Sequence, residues 1–482
     1  MKRYIVLFIV ITLFSDCLTQ KDKTTNARNP NIVLINVDDL GWKDLGFMGS
    51  EYYETPNLNA FARESMVFTN AYASASNCAP SRASMLSGLY TPRHGVYTVS
   101  PSDRGNAKTR RLIPVKNTDF LHDSIYTLPE MLKNAGYITG NFGKWHVGKN
   151  PATQGIDYNR GGNEKGNPGK NGYFSPYNVK YLEDGPKGEY LTDRLTQEAL
   201  QFMEKYRDTS FFLYMPFYTV HTPIMGKPEL TAKYKAKPGS KGQDNPEYAA
   251  MVTSMDENVG KILDFLNNNN LKENTIVIFT SDNGGIPYIS SNAPLRAGKG
   301  SYYEGGIRVP LVIRWPGKTN AGSTSEERAT NLDFYPTLQT FLNPGKKAPI
   351  LDGKNLLPIL EEDNIIERDF FFHFPIYLQN NGQMPDNGRD PLFRTRPGSV
   401  IISGDWKLHQ YFEDEGLELY NLKKDVGETK NLVDKFPEKT SELLKKLEKW
   451  RKNTNAPVPT EKNPGYDKTF EQKQIRKLLK KE

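Results

Sequence analysis

The chain has 482 residues, of which 37% are hydrophobic and 11% aromatic, so it can build one large domain and a smaller second domain. Its formal net charge is +7, but the Lys and Arg residues are spread along the sequence without a long basic block, which argues against a nucleic-acid-binding arm. This diffuse positive balance favours anionic partners without identifying them.

The N-terminus has the pattern of an export signal. Lys2 and Arg3 precede an apolar run over 4–14 that is too short to span a membrane, and polar, Lys-rich sequence follows it. We therefore predict a signal peptide at 1–20, periplasmic localisation, and no transmembrane segment in the mature chain. Anchoring as an outer-membrane lipoprotein through Cys17, or secretion, is the alternative, although Asp16 stands where a lipoprotein signal normally has a small residue.

Strands and helices alternate over roughly residues 30 to 345. The predicted strands are 31–37, 137–142, 211–216, 275–280 and 309–314, and the predicted helices are 58–64, 79–88, 126–134, 191–206 and 248–267. This alternation indicates an α/β fold with a large, mostly parallel sheet sandwiched by helices.

The pattern changes after about residue 365. Short predicted strands at 370–374, 399–403, 406–412 and 417–420, followed by a helix at 438–452, indicate a smaller C-terminal α+β domain with an antiparallel sheet. We therefore expect a main domain over 28–365, a C-terminal subdomain over 366–460 and a charged tail over 461–482.

Polar side chains recur where the predicted parallel strands end. They are Asp38, Asp39, His146, His221, Asp282 and Asn283. Ligands of open α/β sheets bind at this edge, so these residues are expected to converge although they are far apart in sequence. The carboxylate and amide groups among them offer oxygen ligands, which suit calcium or magnesium better than zinc.

The chain has only two cysteines, Cys17 and Cys78. If the signal is removed or Cys17 is lipidated, Cys78 is alone in an oxidising compartment and cannot form an internal disulfide. Cys78 is then either an inert core residue or a chemically used one.

The sequence around Cys78 resembles the type I sulfatases of the alkaline phosphatase superfamily. The motif Cys78-Ala79-Pro80-Ser81-Arg82 has no departures from the family pattern, and the resemblance extends from Asn31 to about Leu432. The further matching segments are Asp38-Asp39, Gly143-Lys144-Trp145-His146, Ser281-Asp282-Asn283-Gly284 and Lys299 through Pro310. The composition is similar to that of bacterial polysaccharide sulfatases.

The resemblance implies that Cys78 is oxidised to formylglycine (3-oxoalanine) by a formylglycine-generating or anaerobic sulfatase-maturating enzyme. One hydroxyl of the hydrated aldehyde would attack sulfur, and the other would collapse to the aldehyde and expel sulfate. The resemblance also implies a bound divalent ion, usually calcium, with magnesium as the alternative. Its ligands would be Asp38, Asp39, Cys78, Asp282 and Asn283.

The resemblance assigns the remaining catalytic roles residue by residue. Arg82 would orient the hydrate, Lys144 and Lys299 would hold the sulfate, His146 would take a proton from the hydrate, and His221 would protonate the leaving alcohol. Outside this set, we expect His94 to be structural and His122 to lie on the surface. His373, His409, Arg394 and Arg396 could border the substrate, but a structural role at strand edges is favoured for them.

The predicted function is hydrolysis of sulfate esters on a sulfated carbohydrate, either an algal polysaccharide such as ulvan or carrageenan or a glycosaminoglycan. A phosphoester or phosphonate hydrolase of the same superfamily is the second hypothesis, and the complete motif at Cys78 argues against it. The third is a non-catalytic glycan-binding protein, which predicts damaged catalytic positions that the sequence does not have.

Overall fold

The computed structural model describes residues 28–361, 367–380 and 387–479, and its centre is an eight-stranded sheet. The strands are β1 (Asn31–Val37), β2 (Met66–Tyr72), β3 (Ile138–Phe142), β4 (Tyr158–Arg160), β5 (Phe211–Pro216), β6 (Thr275–Ser281), β7 (Arg308–Arg314) and β8 (Thr324–Thr330). Their order is β4-β3-β5-β1-β6-β7-β2-β8, and β7 alone among them runs antiparallel to its neighbours. The predicted mostly parallel sheet is confirmed.

Helices cover both faces of this sheet, which is why its central strand is apolar at almost every position. Along β1, Val33, Ile35 and Val37 pack into one core cluster, whereas Ile32 and Leu34 pack into another. The helices of the main domain are α1 (Pro56–Arg63), α2 (Cys78–Ser87), α3 (Thr91–His94), α4 (Leu128–Asn134), α5 (Leu191–Lys205), α6 (Pro228–Lys235), α7 (Pro246–Asn268), α8 (Glu304–Ile307), α9 (Phe334–Leu342) and α10 (Leu357–Leu360).

A second, antiparallel sheet follows in the chain, as predicted. Its strands are β9 (Phe370–Phe374), β12 (Gly398–Ser403), β13 (Trp406–Tyr411) and β14 (Leu417–Asn421), in the order β14-β13-β12-β9. A separate hairpin consists of β10 (Leu378–Gln379) and β11 (Phe393–Thr395). Helix α11 (Pro437–Thr454) buries Leu443 and Leu447 against the four-stranded sheet, and α12 (Lys468–Leu479) lies in the predicted tail.

Some predictions made from the sequence are not tested by the structure. The signal peptide and Cys17 lie outside the described residues, so export and lipidation remain predictions. The exact domain boundaries also remain predictions.

Over the described ranges, no helix combines the length and the apolar character that crossing a membrane requires.

Candidate active site

The sheet topology brings the sequence-predicted polar residues together. Asp38 and Asp39 directly follow β1, and Asp282 and Asn283 directly follow β6, which pairs with β1 in parallel up to Val37 and Ser281. Lys144 and His221 follow β3 and β5, which continue the sheet on the other side of β1. All these residues therefore lie at one edge, at the carboxyl ends of parallel strands.

The predicted metal ligands form a compact cluster. In one group, Asp38, Cys78 and Asp282 each offer one ligand atom, and the three atoms lie within 4.8 Å of one another. In a second group, Asp38, Asp39 and His221 offer three ligand atoms that lie equally close together. The backbone N–H of Asp39 donates to Asp282 Oδ1 at 3.2 Å, and Asn283 Nδ2 donates to Asp39 Oδ1 at 2.8 Å. Asp39 adopts a left-handed backbone conformation with φ of 61°, a strained geometry that recurs at functional sites.

Two oxygen atoms of this cluster are suited to bind a cation. Asp38 Oδ1 and Asn283 Oδ1 are buried without a hydrogen-bond partner, although buried polar atoms almost always have one. Burial raises the pKa of Asp38 and raises that of Asp282 to about 6. Burial also opposes ionisation of Asp39, but the charges of Lys299 and His221 outweigh it and hold its pKa below the ordinary value. These oxygen donors fit a hard divalent cation such as Ca²⁺ or Mg²⁺.

Each carboxylate of the cluster is paired with one basic side chain. Lys144 Nζ lies 2.6 Å from Asp38 Oδ2, and both side chains are fully buried. Lys299 Nζ lies 2.7 Å from Asp39 Oδ2. Arg82 contacts Asp282 Oδ2 at 2.8 Å, and its Nη1 also donates to the carbonyl of Lys144 at 2.9 Å.

Cys78 is the first residue of α2, so the N-terminal end of that helix favours an anion beside its side chain. Burial raises the pKa of its thiol. Cys78, His146, His221 and Lys299 line a cavity of about 350 Å³. Arg82 and Lys144 are fully buried and are not among the residues lining it.

The two predicted catalytic histidines border this cavity with different partners. His221 Nδ1 donates to the carbonyl oxygen of Thr222 at 2.6 Å, because a carbonyl can only accept. Its Nε2 therefore points to the carboxylate of Asp39, 3.7 Å away. His146 Nδ1 is buried without a hydrogen-bond partner. Gly166 packs against the His146 ring so closely that a Cβ atom at this position would collide with it.

The remaining histidines lie outside the cavity lining. His94 is buried between Ser84 and the backbone N–H of Val96, as expected for a structural residue, and His122 is exposed. His373 and His409 are buried in the C-terminal sheet.

Arg394 and Arg396, which the sequence analysis considered as substrate contacts, have different surroundings. Arg396 is bound to Asp390, Glu413 and Glu471, whereas Arg394 lines the cavity. Arg104 also lines the cavity, and sequence analysis did not identify it because it lies in a loop without a recognisable motif.

Two family models match the chain. The model described as "Sulfatase" matches residues 30–343, and the one described as "N-sulphoglucosamine sulphohydrolase, C-terminal" matches residues 298–454. A sulfatase from Formosa agariphila is 34% identical over 95% of both chains. Human N-acetylgalactosamine-6-sulfatase is 34% identical over 71% of this chain and 68% of its own.

Solved structures show the same fold. The crystal structure of Ps i-CgsB is similar with a TM-score of 0.74 and 27% identity, covering 94% of this chain and 98% of that one. The same protein in complex with k-i-k-neocarrahexaose has a TM-score of 0.73. Phosphonate monoester hydrolase of Agrobacterium radiobacter, at 20% identity and a TM-score of 0.63, shares the fold.

Proposed function

The chain belongs to the sulfatase family and is a sulfuric ester hydrolase, and from this premise we propose that it removes sulfate esters from a sulfated carbohydrate. The names of the relatives support this substrate class, because one acts on N-acetylgalactosamine 6-sulfate groups and Ps i-CgsB has been crystallised with k-i-k-neocarrahexaose. Algal polysaccharides such as ulvan or carrageenan and glycosaminoglycans both belong to it.

One observation carries the proposal: three ion pairs, two of them fully buried, surround residue 78. A sulfate ester already bears negative charge, so its hydrolysis needs positive groups next to a strong nucleophile. Lys299 and Lys144 supply positive charge on two sides of the carboxylate cluster, and Arg82 supplies it on the third. The N-terminus of α2 adds a favourable dipole at residue 78.

We propose that Cys78 is converted to formylglycine by a maturation enzyme. The hydrated aldehyde would supply both a nucleophilic hydroxyl and a route for sulfate to leave. Arg82 and Lys144 hold the surrounding carboxylates in place, since both are fully buried and hydrogen-bonded to them. His146 and His221 line the cavity, and in this proposal they accept and donate protons there.

A divalent cation, which we propose to be calcium, would be held by Asp38, Asp39, Asp282 and Asn283. The side chain of residue 78 would lie next to it. When bound, it would polarise the oxygen atoms of the sulfate group. The unpartnered Oδ1 atoms of Asp38 and Asn283 support this assignment.

Exhaustive chelation should abolish activity, and added calcium should restore it. Full activity after chelation would remove the metal from the mechanism.

The proposal is tested against phosphoester hydrolysis by comparing matched substrates. We expect kcat/KM for p-nitrophenyl sulfate to exceed that for p-nitrophenyl phosphate, and Cys78→Ala to lose sulfate hydrolysis while remaining folded by circular dichroism. A preference for the phosphate or phosphonate ester would favour the alternative hydrolase. Tight binding of a sulfated glycan without turnover, in protein whose Cys78 is unmodified, would favour a binding protein.

Export to the periplasm remains part of the proposal. A sulfated polysaccharide is too large and too charged to cross a membrane unaided, so the enzyme would meet it outside the cytoplasm. The apolar run at 4–14 supports this localisation. Cell fractionation of the native host should place the protein in the periplasm or outer membrane, and recovery in the cytoplasm would contradict it.

A further inference from the structure

The charges that line the active-site cavity are unbalanced. Among the described residues that form its wall, the charged side chains are Arg104, Lys299 and Arg394, and none is an aspartate or a glutamate. Lys299 is paired with Asp39, 2.7 Å away. The two arginines therefore provide the positive charge that remains unpaired in the wall.

Neither arginine has an acidic partner within the described ranges. Arg394 makes no side-chain hydrogen bond or ion pair there, and Arg104 donates only to the carbonyl oxygen of Ser100 at 2.9 Å. Both arginines line the same cavity as Cys78, so their charges face one confined volume. Two guanidinium groups held near each other in a cavity repel unless an anion lies between them.

The structure holds both arginines in place from separate parts of the chain. Arg394 lies on β11, and its aliphatic stem packs over Gly300, where a Cβ atom would come within 2.9 Å of Arg394 Cδ. The loop that carries Arg104 is joined to the segment before β10, because the N–H of Tyr377 donates to the carbonyl of Ser102 at 2.9 Å. Gly300 follows Lys299 directly, so the stem of Arg394 lies next to the proposed sulfate-binding lysine.

We propose that Arg104 and Arg394 bind a second anionic group of the substrate, a sulfate or a carboxylate, next to the sulfate ester that is hydrolysed. This inference rests on the proposed function and makes it more specific: the preferred substrate carries at least two negative groups close together. A guanidinium group suits this role because it can donate two parallel hydrogen bonds to a sulfate or carboxylate.

The test compares sulfated disaccharides that differ only in a second group: a hydroxyl, a sulfate or a carboxylate. We expect the wild-type enzyme to favour a dianionic member over the monosulfated one in kcat/KM. Arg394→Gln and Arg104→Gln should each reduce this preference by about tenfold to a hundredfold, mainly through KM, because each removes a charge-assisted contact. Comparing kcat/KM for the disaccharide with a second sulfate and for the one with a carboxylate shows which group is recognised.

Two further variants sharpen the result. Arg394→Glu should turn the preference towards the monosulfated substrate, while Arg207→Gln, a half-exposed arginine outside the cavity, controls for the loss of one positive charge. An unchanged preference in all the cavity variants would overturn the inference while leaving sulfate hydrolysis intact. Absence of sulfate release from every substrate, including p-nitrophenyl sulfate, would instead contradict the proposed function.

Discussion

The ion pair between Lys144 and Asp38 is fully buried, with no solvent exposure on either side chain. Removing one partner of such a pair leaves an unpaired charge in the interior. In metal-free protein, Lys144→Met should therefore lower the free energy of unfolding by about 3–5 kcal/mol.

A double variant separates stability from function at this pair. Lys144→Met with Asp38→Asn removes both charges and should recover much of the stability in urea unfolding, but it should remain inactive because the carboxylate of Asp38, a proposed metal ligand, is gone. Recovery of activity in the double variant would show that the pair is only structural.

His373 has a neutral ring fixed by two partners. Its Nε2 donates to the carbonyl of Pro457 at 2.9 Å, which leaves Nδ1 to accept from Ser399 Oγ at 2.8 Å. Burial, opposed by the Pro457 bond and aided by the charge of Arg451, lowers its pKa from 6.5 to about 3.

This depressed pKa predicts a pH dependence of stability. The neutral ring stabilises the fold above pH 6.5, and this contribution is lost between about pH 6.5 and 3, because only the unfolded state takes up the proton there. His373→Gln, which preserves a donor and an acceptor, should reduce the pH slope of the unfolding free energy by up to about 1.4 kcal/mol per pH unit. Equal slopes for the variant and the wild type between pH 6 and 4 would contradict the neutral assignment.

Helix α4 begins with a capping box that joins it to a neighbouring turn. Thr127 accepts from the N–H of Glu130, the Glu130 carboxylate accepts from the N–H of Thr127 at 2.7 Å, and Thr127 Oγ1 donates to the carbonyl of Gln154 at 2.9 Å. Thr127→Ala should cost about 1–2 kcal/mol in urea unfolding. Thr127→Ser keeps the hydroxyl and should cost clearly less, and equal losses for the two variants would exclude the cap as the cause.

Elements with a strong apolar pattern were predictable from the sequence. The buried strands β1, β5 and β6 were placed to within one residue, because their runs of apolar residues are covered on both faces. Strands β2, β4 and β8 were missed. β8 is an edge strand whose Glu326, Glu327 and Arg328 face solvent at least in part, and charged edge strands lack the apolar signal.

The site was predictable where motifs follow strands, and not elsewhere. Asp38, His221 and Asp282 converge as expected because parallel strands end at one edge. The reversed direction of β7, the burial of Lys144 and the entry of Arg104 into the cavity wall depend on tertiary packing. No local pattern encodes those features.

A buried charge network joins the four-stranded C-terminal sheet to helix α8 of the main domain. Lys407 on β13 lies 2.9 Å from both Glu304, on α8, and Glu428, and all three side chains are unexposed. Lys407→Met would leave two buried carboxylates facing each other and should destabilise the protein by about 3–5 kcal/mol.

An exposed lysine near the same sheet provides the control. Lys446, about 40% exposed, pairs with Asp369 at 3.2 Å, so Lys446→Met should change stability by less than about 1 kcal/mol. Similar unfolding midpoints for the two variants would show that the Lys407 network does not hold the C-terminal sheet to α8.

At the scale of the whole molecule, the proposed function depends on the chemical state of one side chain, that of residue 78. Peptide mass spectrometry across this position, on active protein purified from its native host, measures that state directly. We predict a side chain that has lost sulfur and gained a carbonyl oxygen. An intact thiol at Cys78 in protein that releases sulfate would contradict it.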